Sequence, residues 1–200
     1  MTRLLVGTTN ADKLREIRHV MGNAPVTLVG LADLPPMDEP EETGDTFAAN
    51  ARLKARYYAA RTGLPTVAED SGLVIDALGG EPGVQSARFL GPGAPYAARF
   101  AEIHRRLAGV PAPHAARFVC AVAVARGDQI LWEGEGTIEG EIEAAADGEG
   151  GFGYDPIFRY PPFGRTLARA TREEKLQVAH RGHAFRALAA WLRSVPDLVP

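Results

Sequence analysis

The sequence predicts an α/β fold built on a mixed sheet. Short apolar runs alternate with segments of 3-to-4 apolar spacing, the strand–helix succession of layered α/β chains. Arg126-Gly127-Asp128 between two apolar runs adds a hairpin, hence an antiparallel pair. The 200 residues contain no repeat, low-complexity stretch or linker, so a single domain over 1–200 is expected.

Taken in order, Arg3 to Thr8 reads as a buried strand entering a turn. Asn10 caps a helix from about Ala11 to Met21, with Leu14, Ile17 and Met21 on one face. Val26 to Val29 is a second strand, and Leu31 to Gly44 is Pro-rich, acidic and irregular. Asp45 or Thr46 caps a helix from Phe47 to Thr62, which Gly63 ends. A short strand from Pro65 runs into Glu69-Asp70-Ser71-Gly72, and Leu73 to Ile75 continues as strand. Tyr96, Phe100, Ile103 and Leu107 mark a third helix. Arg117 to Ala125 and Gln129 to Trp132 form the hairpin, with a separate strand over Ile138 to Ile142. Thr171 and Glu174 make a capping box for a short helix. The last helix runs from about His183 to Arg193, with Phe185, Leu188 and Leu192 inward.

Composition narrows the function classes. A net charge of −3 gives no reason to expect nucleic acid as a partner, since such binding usually shows a basic face. No apolar run approaches the ~20 residues of a membrane span, and the N-terminal apolar run is too short for a secretory leader. The single Cys120 excludes an internal disulfide and a cysteine-clustered zinc site. A reduced, cytoplasmic protein is the expectation. Of 22 basic residues only Lys13, Lys54 and Lys175 are lysines. Lysine is a compact point charge on a thin stem and arginine a planar fork, so each remaining lysine is a candidate for a specific task.

Four segments carry possible chemistry. Thr8-Thr9-Asn10-Ala11-Asp12-Lys13 lies at a strand end opening a helix, where free N–H groups and Lys13 suit an anion; a capped helix with a solvent lysine accounts for the same residues. Glu69-Asp70-Ser71-Gly72 puts one carboxylate on each face of a strand, able to bind Mg²⁺ or accept a proton from water; an ordinary turn is the plain alternative. Gly148 to Gly153 holds four glycines in six positions before Tyr154-Asp155-Pro156, and Phe152 offers a face for a planar base. Lys175 and His180-Arg181 offer donors for a carbonyl or phosphate; a structural histidine and an arginine in a surface ion pair account for the same residues.

In this order the motifs resemble the inosine/xanthosine triphosphate pyrophosphatase family, from Leu4 to Leu188. The marks are Thr8 to Lys13; Glu41-Glu42-Thr43-Gly44 with Thr46-Phe47; Asn50-Ala51 with Lys54-Ala55; and Asp70-Ser71-Gly72-Leu73. They continue through Leu78-Gly79-Gly80, Pro82-Gly83-Val84, Ser86-Ala87-Arg88, Ala116-Arg117-Phe118 with Cys120, Gly151 to Phe158, and His180-Arg181. The resemblance implies two α/β lobes around a long central mixed sheet with an active-site cleft between them, and a homodimer. The implied reaction takes ITP, dITP or XTP to the monophosphate and pyrophosphate with Mg²⁺.

Carried onto this chain, Thr8, Thr9, Asn10, Ala11, Asp12 and Lys13 would hold the triphosphate, with Lys54 reaching the same phosphates. Glu41 and Asp70 would serve the metal, with Glu42 as the substitute for Glu41, and Asp70 would accept the proton from water. Ser71 would touch the substrate. Phe152, Gly153, Tyr154, Asp155, Lys175, His180 and Arg181 would form the base pocket. Glu69, Arg169-Ala170 and Ala179 depart from the family pattern, where Asp, Glu-Leu and Ser are usual. A Maf-like pyrophosphatase and a catalytically silent nucleotide binder are the rival readings; the order of motifs speaks against the first, and Asp70 with the three lysines against the second. Lys13→Arg tests whether the small ammonium head matters: a reduced kcat/KM is expected, and wild-type kinetics would show that any cation serves.

Overall fold

The computed structural model describes residues 2–195. Its seven strands are β1 (Thr2–Val6), β2 (Val26–Gly30), β3 (Thr66–Ile75), β4 (Ala115–Arg126), β5 (Gln129–Ile142), β6 (Phe158–Tyr160) and β7 (Arg165–Thr166). They form one sheet in the order β2-β1-β3-β4-β5-β6-β7. β1 pairs in parallel with β2 and β3, and β6 pairs antiparallel with β5 and β7, so the sheet is mixed as expected. The helices are α1 (Ala11–Val20), α2 (Phe47–Thr62), α3 (Tyr96–Leu107), α4 (Arg172–Val178) and α5 (His180–Ser194). None is long and apolar enough to cross a membrane among the described residues.

Two compact units divide the chain. The first runs through Asp70, from Cys120 to Gly136, and from His180 onward; the second comprises Ser71–Val119 and Thr137–Ala179. The second unit has one core, in which Leu73 and Ile75 of β3 meet Ile103 and Leu107 of α3 and Phe118, Ile138 and Phe158 of the sheet.

The first unit has a core on each face of its sheet. Leu4, Val6, Val67, Cys120, Val122 and Val124 pack against Ile17 of α1 and Phe185, Leu188 and Leu192 of α5. On the opposite face Ala68, Ala121, Ala123 and Ala125 meet Ala51, Ala55 and Ala59 of α2. This seam is alanine on both sides, so the α2 backbone lies close to the sheet and short α2 side chains reach β3. The pleat assigns successive residues to opposite faces. Val67 therefore faces α1 and α5, while Ala68 faces α2.

Caps fall where the sequence places them. Asn10 Oδ1 accepts from Lys13 N–H, Thr46 Oγ1 from Ala49 N–H, and Thr171 and Glu174 form the capping box of α4. Gly63 closes α2 at φ +68°. Several elements differ from expectation, among them the short strands β6 and β7, which were not expected. β3 is continuous through Glu69-Asp70-Ser71-Gly72, with no turn there. β5 is one strand of 14 residues instead of two short ones. α5 starts at His180, three residues early.

The glycines of β5 explain its continuity. A Cβ at Gly136 would collide with His180 O and lie 2.6 Å from Ala184 N. At Gly134 it would collide with the Trp132 ring, which stacks on Trp191 at 5.9 Å, and at Gly140 with the Phe158 ring and Arg159 O. These glycines admit neighbours to the strand and do not end it. Gly136→Ala should push the first turn of α5 off β5, an overpacking cost of about 1–3 kcal/mol. Urea denaturation measures it, and an unchanged midpoint would refute the close seating.

Candidate active site

β3 carries Glu69 and Asp70 to opposite faces, and each carboxylate meets a different set of partners. On the α2 side, Asp70 Oδ2 accepts from Asn50 Nδ2 at 3.0 Å, and Asp70 Oδ1 lies 3.4 Å from Lys54 Nζ. Lys54 Nζ also donates to Glu42 Oε1 at 2.5 Å. Burial lifts the Asp70 carboxyl above its ordinary value; Lys54 opposes this, and Glu42 adds to it. Burial alone would lower Lys54, but Asp70, Glu69 and Glu42 together raise it, so the ammonium stays charged. Glu41 is exposed, and the acid beside Asp70 in this loop is Glu42.

On the other face Glu69 is buried among cations. Its Oε1 lies 2.8 Å from Lys13 Nζ and 3.4 Å from Arg181 Nη2, and Cys120 Sγ is 3.5 Å from Oε2. Arg181, only 1% exposed, also donates from Nη1 to Glu16 Oε2 at 2.6 Å. Burial favours a neutral Glu69, but Lys13, Arg181 and Lys54 outweigh it and hold the carboxyl well below its ordinary range. Burial raises the Cys120 thiol well above its usual value, so it is an inert core sulfur. Two acids, Glu16 and Glu69, thus meet two cations, Lys13 and Arg181, and the network ties α1, β3 and α5 together.

The turn before α1 is held locally. Thr8 Oγ1 accepts from Asn10 N–H at 3.2 Å, Asn10 serves as the cap, and Asp12 pairs with Arg15. Thr9 and Ala11 are exposed. His180 is buried at the start of α5, and Ser71 follows Asp70 on β3, half-buried.

In the second unit Asp155 organises the glycine loop. Its Oδ2 accepts from Phe152 N–H at 2.8 Å and from Lys175 Nζ at 2.7 Å. Lys175 Nζ stands 4.4 Å from the centre of the Phe152 ring, a cation–π contact. Gly151, at φ +69°, leaves room for Asp155 Oδ2, which a Cβ there would strike. Gly153, also at positive φ, and Tyr154 follow; the Tyr154 hydroxyl donates to Ser86 O at 2.9 Å, and burial pushes it up to about 12. Tyr154 is an anchor of this loop, while Phe152 stays half-buried.

Two residues in these groups received no role from sequence. Asn50 lies one helical turn before Lys54 on α2, and Glu16 three positions after Lys13 on α1. The i, i+3 and i, i+4 spacing was the available signal.

The fold and these groups define a class: a mixed-sheet α/β protein with lysines set against buried carboxylates on one strand. The pattern of the Ham1 family matches residues 4–191, and the chain belongs to that family. It is 47% identical over 200 residues to the dITP/XTP pyrophosphatase of Symbiobacterium thermophilum, covering 98% of this chain and 96% of that protein. It is 44% identical over 189 residues to the dITP/XTP pyrophosphatase of Geobacillus kaustophilus, covering 94% and 93%. Among solved structures, a HAM1 protein from Coxiella burnetii superposes with TM-score 0.88 at 36% identity, over 97% of this chain and all of that one. The family resemblance read from the motifs therefore stands.

Glu69→Ala would leave Arg181 and Lys13 with one acid between them. Breaking a buried ion pair in this way costs about 3–5 kcal/mol. A loss well under 1 kcal/mol in urea denaturation would show the network to be energetically idle.

Proposed function

We infer that this protein hydrolyses nucleoside triphosphates of deaminated purines, ITP, dITP and XTP, to the monophosphate and pyrophosphate. The observation that carries the reading is Asp70, a buried carboxylate between Asn50 and Lys54 in a chain of the Ham1 family. A carboxyl raised above its ordinary value is a better base, suited to accept the proton of an attacking water. Lys54 and Lys13 neutralise phosphate charge, and Thr8 to Asp12 present the helix start to the same anion.

The donor set fits Mg²⁺. Among the described residues no three His, Cys, Asp or Glu gather as a full metal cage. Glu42 and Asp70 instead offer two carboxylates around Lys54, and Mg²⁺ commonly takes one or two carboxylates with water and substrate phosphates. When bound, the ion supplies charge neutralisation at the phosphates. In this reading Glu42, with Asp70, holds it.

Phe152 stacks on the base, with its loop held by Asp155 and Lys175. Lys175, beside Phe152, is a donor suited to the O6 acceptor of hypoxanthine and xanthine, whereas Arg181 is held within the first unit by Glu16 and Glu69. Adenine presents an amino donor at that position, and a buried donor–donor mismatch discriminates strongly. The resemblance also brings a homodimer and a cytoplasmic nucleotide pool into the reading.

Incubation with dITP, XTP, dTTP and ATP under Mg²⁺, scored for pyrophosphate against orthophosphate, tests the function. Pyrophosphate from dITP and XTP is expected. Preference for dTTP would favour a Maf-like activity, and no release would favour a silent binder. Asp70→Asn should fold and lose turnover by at least about 100-fold, the lower range for removing a catalytic base; near-normal activity would refute its role.

A further inference from the structure

Asn50 is fully buried, at 0% exposure, in the first turn of α2. Both ends of its amide are used. Oδ1 accepts from Gly44 N–H at 2.8 Å, and Nδ2 donates to Asp70 Oδ2 at 3.0 Å. The Gly44 contact is tight, since a Cβ there would lie 2.7 Å from Asn50 Oδ1. One turn on, Lys54 makes the charged version of the same bridge, to Glu42 and to the other Asp70 oxygen. Residues 42–44 are thus tied to Asp70 twice, from positions 50 and 54 of one helix face.

The two ties differ in what they can exchange. Lys54 is an ammonium on a flexible stem with its side chain 12% exposed, and an arriving phosphate competes with the carboxylates for it. Asn50 is short, neutral and enclosed, and has no charge to give up. Resting on the reading of Asp70 and Glu42 above, we propose that Asn50 is a positioning residue: it keeps the 42–44 loop and Asp70 in register while Lys54 trades carboxylate for phosphate. An amide suits the place because one end accepts and the other donates. Aspartate would set oxygen against oxygen at Asp70, and alanine would strip both neighbours of their partner. Packing of α2 does not require the amide, because Ala51, Ala55 and Ala59 form the seam with the sheet.

The test uses the full chain with Asn50→Ala, Asn50→Asp and Gly44→Ala. Steady-state turnover of dITP with Mg²⁺ is measured beside Mn²⁺ binding to the substrate-free protein, followed by electron paramagnetic resonance. Thermal melting checks the fold. Loss of a residue that orients metal-holding carboxylates typically costs about 10–100-fold. That loss is expected in kcat and in Mn²⁺ affinity for Asn50→Ala and Gly44→Ala, with KM within about threefold, and Asn50→Asp should lose at least as much. A cooperatively folded Asn50→Ala or Gly44→Ala with wild-type kcat and Mn²⁺ affinity would overturn the proposal. So would a defect confined to KM. If Asn50→Ala fails to fold, Gly44→Ala decides, because its methyl presses on Asn50 Oδ1 and Ala49 Cβ and shifts the loop from the amide while Asn50 itself is unchanged. A wild type inactive on both dITP and XTP sinks the functional reading, and the Mn²⁺ arm still tests the positioning role.

Discussion

The pleat of β3 is the constraint on which the site depends. Consecutive residues of a strand face opposite ways, so Val67 and Glu69 look toward α1 and α5, and Ala68 and Asp70 toward α2. Two carboxylates adjacent in sequence are thereby kept in separate electrostatic surroundings. Glu69 meets Lys13 and Arg181 and is held ionised. Asp70 meets one lysine, one amide and a second acid, and its proton affinity rises. A slip of one residue in β3 would exchange these surroundings and put the apolar positions on the wrong faces.

The alanine seam sets the scale on the Asp70 side. Large residues at Ala51, Ala55 and Ala59, or at their partners on β3 and β4, would lift α2 away from the sheet. Asn50 has one methylene before its amide and would no longer reach Asp70. On the opposite face the residues are larger, and the reach is made by long side chains, Lys13, Glu16 and Arg181. From α2 the strand is reached by one short side chain, Asn50, and one long one, Lys54, and from α1 and α5 by long side chains alone.

Much of this was legible in the chain. The caps at Asn10, Thr46 and Thr171 follow from local hydrogen-bond chemistry, and the opposite facing of Glu69 and Asp70 from strand geometry alone. The hairpin turn carries Gly127 at φ +54°, as its position demands. What escaped were features set by distant neighbours. Gly134 and Gly136 fall in the gap left between the two expected strands until Trp132 and His180 are seen crowding them. Nothing periodic in the acidic stretch distinguishes Glu41 from Glu42; a fold contact with Lys54 does. The division into two compact units falls inside β3, β4 and β5, where composition leaves no linker to find.

The ring stack of Trp132 on Trp191 has a spectroscopic consequence. These are the two tryptophans of the chain, and both belong to the first unit. Indole emission excited at the red edge therefore reports on that unit alone, from β5 and α5, while the second unit is dark in this channel. Comparison of that signal with far-ultraviolet dichroism, which sees every helix, would show whether the two units lose structure together or one after the other.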